Sequence, residues 1–437
     1  MGELRREIFD IVIIGAGPAG MAAAATACAA GAHAALVDDN GYAGGQIWRR
    51  ANNARHGKSV LATRWINHLQ RSAAGSGGLA RLQQTRVVGM PRANVLLAES
   101  ERGALEIHYD KLILATGARE LFLPFPGWTH PRVMGAGGLQ SLVKSGLPIV
   151  GRRVIVAGSG PLLLAVANYL RHAGAIVPLI AEQAHSAEIL RFAAGLARTP
   201  AKLLQAALLR GGLIGTRYCA DAWPLRAQES GGRLSVTLQI GKRRRVETAD
   251  YLACGFGLVA NVELAALAGC KFARPGCVAV DDCQETSVKH VFAAGELTGI
   301  GGVEKAIVEG QIAGLAAAGR TTQTARLFGN RDAALAFTAR LEKAFTLRPE
   351  LKTLAGPDEI ICRCEDVTLG QLTIGDGDQT FHSLHDAKLH TRCGMGPCQG
   401  RICGPAVAFI TGAENDLRIR PPILPARVAT LAADGGA

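Results

Sequence analysis

The sequence predicts an α/β chain of two dinucleotide-binding domains followed by a small cysteine-rich module, and three observations carry that reading. Two stretches, one at the N-terminus and one beginning near Gly151, run strand, glycine turn, helix, strand, acidic residue. The second lies between segments that read as parts of the first domain. Near the C-terminus, five of the 11 cysteines fall within 42 residues, Cys362 to Cys403.

Composition agrees. A chain of 437 residues has room for two or three domains. Hydrophobic content of 48%, 54 glycines and only 5% aromatics suit α/β cores packed with Ala, Val and Leu. This excludes a disordered chain and a small disulfide scaffold. The apolar run around Leu162–Ala167 is far shorter than the roughly 20 residues that cross a bilayer, and no signal peptide precedes Phe9. A cytoplasmic protein without a transmembrane segment is expected, touching a membrane only peripherally through a complex. The net charge of +12 comes mostly from scattered arginines, with Lys242–Arg245 placed as a hairpin turn. No nucleic-acid module accompanies it. A solvated basic surface, or one that docks an acidic partner or electron carrier, is expected instead.

Residues 9–14, FDIVII, form the first strand candidate. Gly15-Ala16-Gly17-Pro18-Ala19-Gly20 follows at once, then the alanine-rich helix candidate Met21–Ala30 and a second strand, Ala34–Val37, ending at Asp38. A dinucleotide site requires this order. Gly15 permits the tight turn, Gly17 lets backbone approach a pyrophosphate, and Gly20 lets helix and strand pack closely. The helix N-terminus offers N–H groups and a positive dipole end to phosphate. Asp38 is placed to accept hydrogen bonds from the ribose hydroxyls.

Gly151–Gln183 repeats the pattern: strand Arg153–Ala157, turn Gly158-Ser159-Gly160, helix Pro161–His172, then strand Ala175–Ile180 followed by Glu182. Leu163 stands at the third glycine position and alters how closely helix and strand approach. The pattern predicts a nucleotide-domain fold, with NAD(P) or another adenine nucleotide as its candidate ligand at Gly158, Gly160 and Glu182. Glu182 would favour NAD, because a carboxylate repels a 2′-phosphate.

Two later segments return to the first domain. Tyr109–Glu120 is a strand ending in Ala115-Thr116-Gly117, and Val291–Gly299 a strand ending in Gly295-Glu296, followed by the helix candidate Val303–Ala317. They resemble the returning segments of flavoproteins with two dinucleotide-binding domains. The resemblance implies FAD in the first site, touched by Ala115, Thr116, Gly117, Gly295 and Glu296, with the acid near the ribityl–phosphate part. Glu296 stands where Asp is commoner and lengthens that arm. Gly44-Gly45-Gln46 resembles the loop beside the isoalloxazine, giving Gly45 and Gln46 as candidates; an ordinary glycine-rich loop is the plainer reading. Disulfide reductases of this architecture need a close cysteine pair beside the flavin. Residues 40–60 contain no cysteine, and Cys277 and Cys283 read as ordinary thiols.

After a helical linker, Cys362 and Cys364 form a C-x-C pair and Cys398 and Cys403 a C-x4-C pair, with Cys393 a fifth thiol. Glycines at 394, 396, 400 and 404 let backbone fold round an inorganic core and expose N–H groups to sulfur. Lys388, Arg392 and Arg401 can offset thiolate charge. Iron–sulfur, zinc and unliganded thiols all remain open on these residues alone, although the absence of C-x2-C knuckles speaks against zinc.

The run C-x-C-E-x-V-T, with T-R-x-G-M-G-x-C-Q-G-x-x-C after it, resembles the bacterioferritin-associated-ferredoxin-like [2Fe–2S] module. That resemblance implies Cys362, Cys364, Cys398 and Cys403 as ligands, with Cys393 a non-ligand thiol where many relatives carry Ala. The whole chain resembles the alpha subunit of heteromeric flavin-dependent amino-acid, opine and D-hydroxyproline dehydrogenases, a group that includes hydrogen cyanide synthase. The expected organisation is 1–120 and 246–330 for the FAD domain, 121–245 for the interposed NAD(P)-type domain, 331–357 for a helical linker and 358–425 for the [2Fe–2S] module.

The resemblance further implies an electron-transfer role. A FAD-dependent beta subunit would carry the substrate site, a small ferredoxin-like gamma subunit would be a further partner, and an external acceptor would receive the electrons. No catalytic residue is assigned in this chain. His382, His385 and His390 read as packing groups near the cysteines. Arg49, Arg50 and Arg55 read as contacts for a carboxylate or partner, or as a solvated cluster. A self-sufficient NAD(P)H:acceptor flavin oxidoreductase and a non-catalytic nucleotide-binding scaffold are the alternatives.

Overall fold

Two sheets, one for each glycine turn, organise the chain, the first mixed and the second parallel. The computed structural model describes residues 4–49, 60–74, 78–373, 381, 383–415 and 419–434. The chain divides into two units, one of Met1–Arg119, Val259–Thr338 and Ile419–Ala437, the other of Glu120–Leu258 and Ala339–Arg418.

In the first unit, Arg5–Ile14 lies between Ala34–Val37 and Gly103–Leu114, parallel to both. Leu79–Leu82 extends the sheet in parallel beyond Ala34–Val37. Gly103–Leu114 is long enough to serve two partners along its other edge. Its first part pairs antiparallel with Val95–Ser100, and Leu112–Leu114 pair parallel with the returning strand Val291–Ala293. Residues after 418 come back to this unit: Ile423 N donates to Val88 O, and Arg427 N and Thr430 Oγ1 both donate to Glu99.

Helix Pro18–Ala29 carries alanine at most of its positions because it is buried on nearly every face, in one core with Ile11 and Ile13 of the sheet and Ala313 and Ala316 of helix Val303–Ala317. Close contact between the helices excludes a Cβ at two points. One at Gly310 would lie 2.2 Å from Ala19 O, and one at Gly314 would lie 2.5 Å from Ala23 O.

The second unit has a five-stranded parallel sheet in the order Arg217–Cys219, Leu179–Glu182, Val154–Gly158, Tyr251–Gly255 and Val133–Gly135. An antiparallel ribbon of Ala222–Ser230, Arg233–Ile240 and Arg243–Ala249 accompanies it. Because Tyr251–Gly255 is a central strand of this sheet, the interposed part runs to Leu258, beyond the boundary at 245 that the sequence suggested. Within the basic run, Gly241 and Lys242 make the turn and Arg243–Arg245 already belong to the strand.

The linker also departs from expectation. Helix Ala325–Ala344 ends before Phe345, and a 3-10 turn begins only at Pro349. Between them Phe345–Arg348 is not helical; proline at 349 pushes the preceding residue to extended backbone, and Arg348 has φ −73° and ψ 145°. The cysteine module has its own small core of Ile361, Val367, Leu372, Leu384, Ala387 and Val407 around Cys362, Cys393 and Cys403. It is seated on the rest of this unit: Trp128 Nε1 donates to Ile360 O at 2.7 Å, and Leu351, Leu354 and Ala406 join the core that contains Trp128 and Trp223.

Substitution Gly310→Ala should lower stability by about 3 kcal/mol, since the added carbon must push a backbone carbonyl in a packed core. Thermal unfolding of the purified chain measures this; an unchanged midpoint would show that the helices separate without cost.

Candidate cofactor sites and the cysteine centre

The first glycine turn is built by backbone contact. Gly15 has φ +103°, and a Cβ there would lie 2.2 Å from Ala115 O. Ala115 N donates to Ile14 O, which closes the returning strand onto the turn. A Cβ at Gly20 would lie 1.8 Å from Gly15 O, so helix and turn interlock. Gly17 is different: nothing lies within 4 Å of its missing Cβ, so its face is open to a phosphate. Pro18 and Ala19 begin the helix, and no side chain caps its first amides. They remain oriented as an anion site.

Asp38 binds the turn, accepting from Ala16 N at 2.6 Å and from Asn40 N at 2.8 Å. Gly44 N donates to Ala16 O, and a Cβ at Gly45 would come within 3.0 Å of Gly17 Cα, so the Gly44-Gly45-Gln46 loop lies on the turn with Gln46 exposed. Thr116 Oγ1 donates to Asn261 O, and Asn261 N donates to Gly117 O. A Cβ at Gly295 would sit 2.9 Å from Ala19 Cβ, which puts that returning segment at the helix start. The structure therefore gathers Gly15–Gly20, Asp38, Gly45, Ala115–Gly117 and Gly295 at one end of the sheet. An open Gly17 beside an acid on the second strand fits the adenosine diphosphate half of FAD. Glu296 turns its carboxylate onto Gly301 N (2.9 Å) and Gly302 N (3.1 Å), and burial raises its pKa.

Behind Gly295 lies a group that the sequence reading missed. Lys305, 1% exposed, donates to Glu309, Thr298 Oγ1 and Gly295 O at 2.7–2.8 Å. Glu309 in turn accepts from Gly295 N at 2.9 Å and from Thr298 Oγ1. The only sequence signal is a Lys–Glu pair at i, i+4 in a helix that also carries Glu304 and Gln311, which ordinarily reads as a solvated face.

The second glycine turn is equally tight but not open. A Cβ at Gly158 would lie 1.9 Å from Gly255 O, while one at Gly160 would meet the Phe345 side chain at 3.8 Å. Glu182 is fully buried and accepts from Gly160 N at 2.7 Å and Ala184 N at 2.9 Å. Burial pushes its pKa up to about 7 against those bonds.

The cysteines fall into two groups. The sulfurs of Cys362, Cys393 and Cys403, all buried, lie within 4.8 Å of one another, and Cys364 and Cys398 are 3.8 Å apart. A tetrahedral metal with sulfur bonds of about 2.3 Å holds its sulfurs roughly 3.8 Å apart, so the second pair is already at ligand spacing. A Cβ at Gly396 would lie 2.1 Å from Cys364 Cβ, so only glycine permits that approach. Hydrogen bonds from Cys393 and Cys403 push Cys362 down to about 2, and one from Cys403 takes Cys398 down to about 5. The bonds among these sulfurs raise Cys393 and Cys403 in turn, and burial raises Cys364, so it is the gathering of five sulfurs that fits a thiolate-bound metal centre. Cys393, a fifth candidate by sequence and a non-ligand by the family resemblance, is fully buried within this pocket.

Three of the nearby cations and histidines have partners within the module. Arg392 pairs with Glu365, Arg401 donates to Cys398 O, and His390 stacks on Phe381. Arg49 donates to Asn40 Oδ1; Arg50, Arg55 and His382 lie outside the described residues.

Residues 9–313 match the pyridine nucleotide-disulphide oxidoreductase family. The chain belongs to this family. It is 32% identical over 430 residues to hydrogen cyanide synthase subunit HcnB of Pseudomonas aeruginosa, covering 90% of each chain. It is 31% identical over 475 residues to an opine oxidase subunit of Agrobacterium tumefaciens, covering 98% of this chain and 92% of the relative. Among solved structures, L-proline dehydrogenase from P. horikoshii shares the fold with a TM-score of 0.66 at 19% identity, over 99% of this chain and 81% of that one. Thioredoxin reductase from T. acidophilum matches at 0.54 and 20% identity, over 72% of this chain and 99% of its own.

This member of the pyridine nucleotide-disulphide oxidoreductase family is therefore an oxidoreductase of flavoprotein type. Residues 40–60, which follow the first turn, contain no cysteine, and no two of the 11 cysteines are joined as a disulfide. No helix among the described residues is long and apolar enough to cross a membrane.

Lys305→Met should destabilise the chain by about 3–5 kcal/mol, because it leaves Glu309 charged and unpaired in the core. The double substitution with Glu309→Leu should recover most of that loss. Denaturant titration of both variants measures the coupling, and equal loss in the double variant would show that the pair is not the unit that matters.

Proposed function

We propose that this chain is the FAD-containing electron-transfer subunit of a heteromeric amino-acid or imino-acid dehydrogenase of the D-hydroxyproline, proline or opine class. Its substrate is oxidised on a FAD-dependent beta subunit, and the electrons leave for an external acceptor. The further partner is a small ferredoxin-like gamma subunit. The observation that supports this reading is the five-sulfur pocket appended to a nucleotide fold with no cysteine in the residues 40–60 that follow its first glycine turn. The likeness to HcnB and to the opine oxidase chain, both parts of a larger enzyme by name, agrees with it.

When bound, a flavin takes two electrons together and releases them singly, and a [2Fe–2S] centre carries one at a time. The chain's own residues prepare for both. Gly17 and the first helical amides receive the pyrophosphate, and Asp38 orients the ribose end. Lys305 and Glu309 hold the Gly295 loop rigid from behind. Cys362, Cys364, Cys398 and Cys403 serve as the four thiolates, and Cys393 packs beside them without bonding to iron.

Two measurements test this. Visible spectra of the co-purified complex should bleach on adding proline, D-hydroxyproline or an opine only when the beta subunit is present; a complex that stays oxidised with every such substrate would defeat the class. Cys362→Ser should abolish iron and acid-labile sulfide while FAD content is unchanged, whereas Cys393→Ala should keep both. Loss of the cluster in the Cys393 variant would move that thiol into the ligand set.

A further inference from the structure

The two glycine turns answer the same sequence pattern, yet different things face them. Gly17 and Gly160 occupy the position where a dinucleotide fold brings backbone up to pyrophosphate. Around Gly17 that space is open; at Gly160 it is covered by Phe345 of the same unit.

The cover is bonded as well as packed. Ser159 Oγ donates to Phe345 O at 3.1 Å, and Gln183 Nε2 donates to Thr346 O at 3.2 Å and to Ser159 Oγ at 2.9 Å. Arg348 N donates back to Gln183 Oε1 at 3.0 Å. Gln183, the residue after Glu182, is fully buried, so its amide is committed to this segment. The turn's own amides do not distinguish the two sites: Ser159 N donates to Gly255 O and Gly160 N to Glu182, as Gly15 N donates to Val37 O and Ala16 N to Asp38 in the first. Both ends of the segment are anchored. The Phe345 ring meets Phe192 edge-on at 5.4 Å, and the Arg348 guanidinium lies over Trp223 while donating to Asp221 at 2.7 Å.

We propose that the ligand of the second dinucleotide groove is this chain's own segment Phe345–Arg348, and that the groove is a socket seating the cysteine module on its unit. Peptide carbonyls of Phe345 and Thr346 take the Ser159 hydroxyl and the Gln183 amide beside the turn, and the phenyl ring fills the space against Gly160. Directly after the segment, Leu351 and Leu354 enter the core shared with Ala406 of the cysteine module. The socket thus sets where the module begins. Nicotinamide nucleotides are excluded, because binding one requires displacing this hydrogen-bonded segment from the turn. This inference does not depend on the substrate class or on the cluster.

Hydrogen exchange on the full-length chain tests it, with NADH as the probe. In the wild type, peptides spanning 156–163 and 344–351 should be protected and should not change with about 1 mM NADH, a concentration that reveals even weak binding. Ser159→Ala and Phe345→Ala, made separately, should each speed exchange of 344–351 by about tenfold or more with FAD content retained. A wild type that binds NADH and releases 344–351 would overturn the proposal. So would exchange that stays at the wild-type rate in both variants. Because the readout is exchange rather than amino-acid oxidation, failure here leaves the electron-transfer reading untouched.

Discussion

Backbone meeting backbone, with no side chain between, is the constraint on which this structure turns. At Gly15 and Gly20 the turn touches the returning strand and its own helix at distances no Cβ allows. At Gly310 and Gly314 a second helix lies on the carbonyls of the first. Alanine fills most of helix Pro18–Ala29 because carbonyls of Ala19 and Ala23 lie against the glycines of the second helix. A large interdigitating side chain gains more burial per residue, but it would hold the chain away from the phosphate. The fold gives up that burial locally and recovers it in the branched aliphatic residues of the sheet.

Much of this was legible. Gly15, Gly17, Gly20 and Asp38 announce themselves because turn, close approach and acid recur at a set spacing, and Val303–Ala317 emerged as the helix the sequence described. What stayed hidden depends on partners distant in sequence. Lys305 and Glu309 look like a surface pair until the Gly295 loop closes over them. Phe345–Arg348 carries no breaker of its own, so leucines around it suggested a continuous helix, and only Pro349 hinted otherwise. The limit at Leu258 was invisible because Tyr251–Gly255 reads as a buried strand of either sheet. Cys393 gave no sign of its neighbours, since a thiol's company is decided by how the glycines at 394 and 396 bend the chain.

The cysteine module illustrates a different economy of design. Its core is small, and ten residues including three cysteines make it up. A domain of that size rarely stands on apolar burial alone and commonly depends on metal or on a larger neighbour. Trp128 and the leucines at 351 and 354 provide the neighbour within the same unit, so the thiols are held together before any metal arrives.

The covered glycine at 160 has a consequence for how such chains are read and how they change. A phosphate and a phenyl ring can each face that position, and its φ of +91° asks for glycine with either guest. Purifying selection would therefore keep the signature intact after its original guest had gone, and a motif search would go on reporting a vacancy where there is a tenant. Drift should instead show up in the groove's chemistry, as an amide such as Gln183 that prefers a carbonyl to a sugar. In a lineage of this kind the fingerprint records ancestry, while the residue next to the acid records present use.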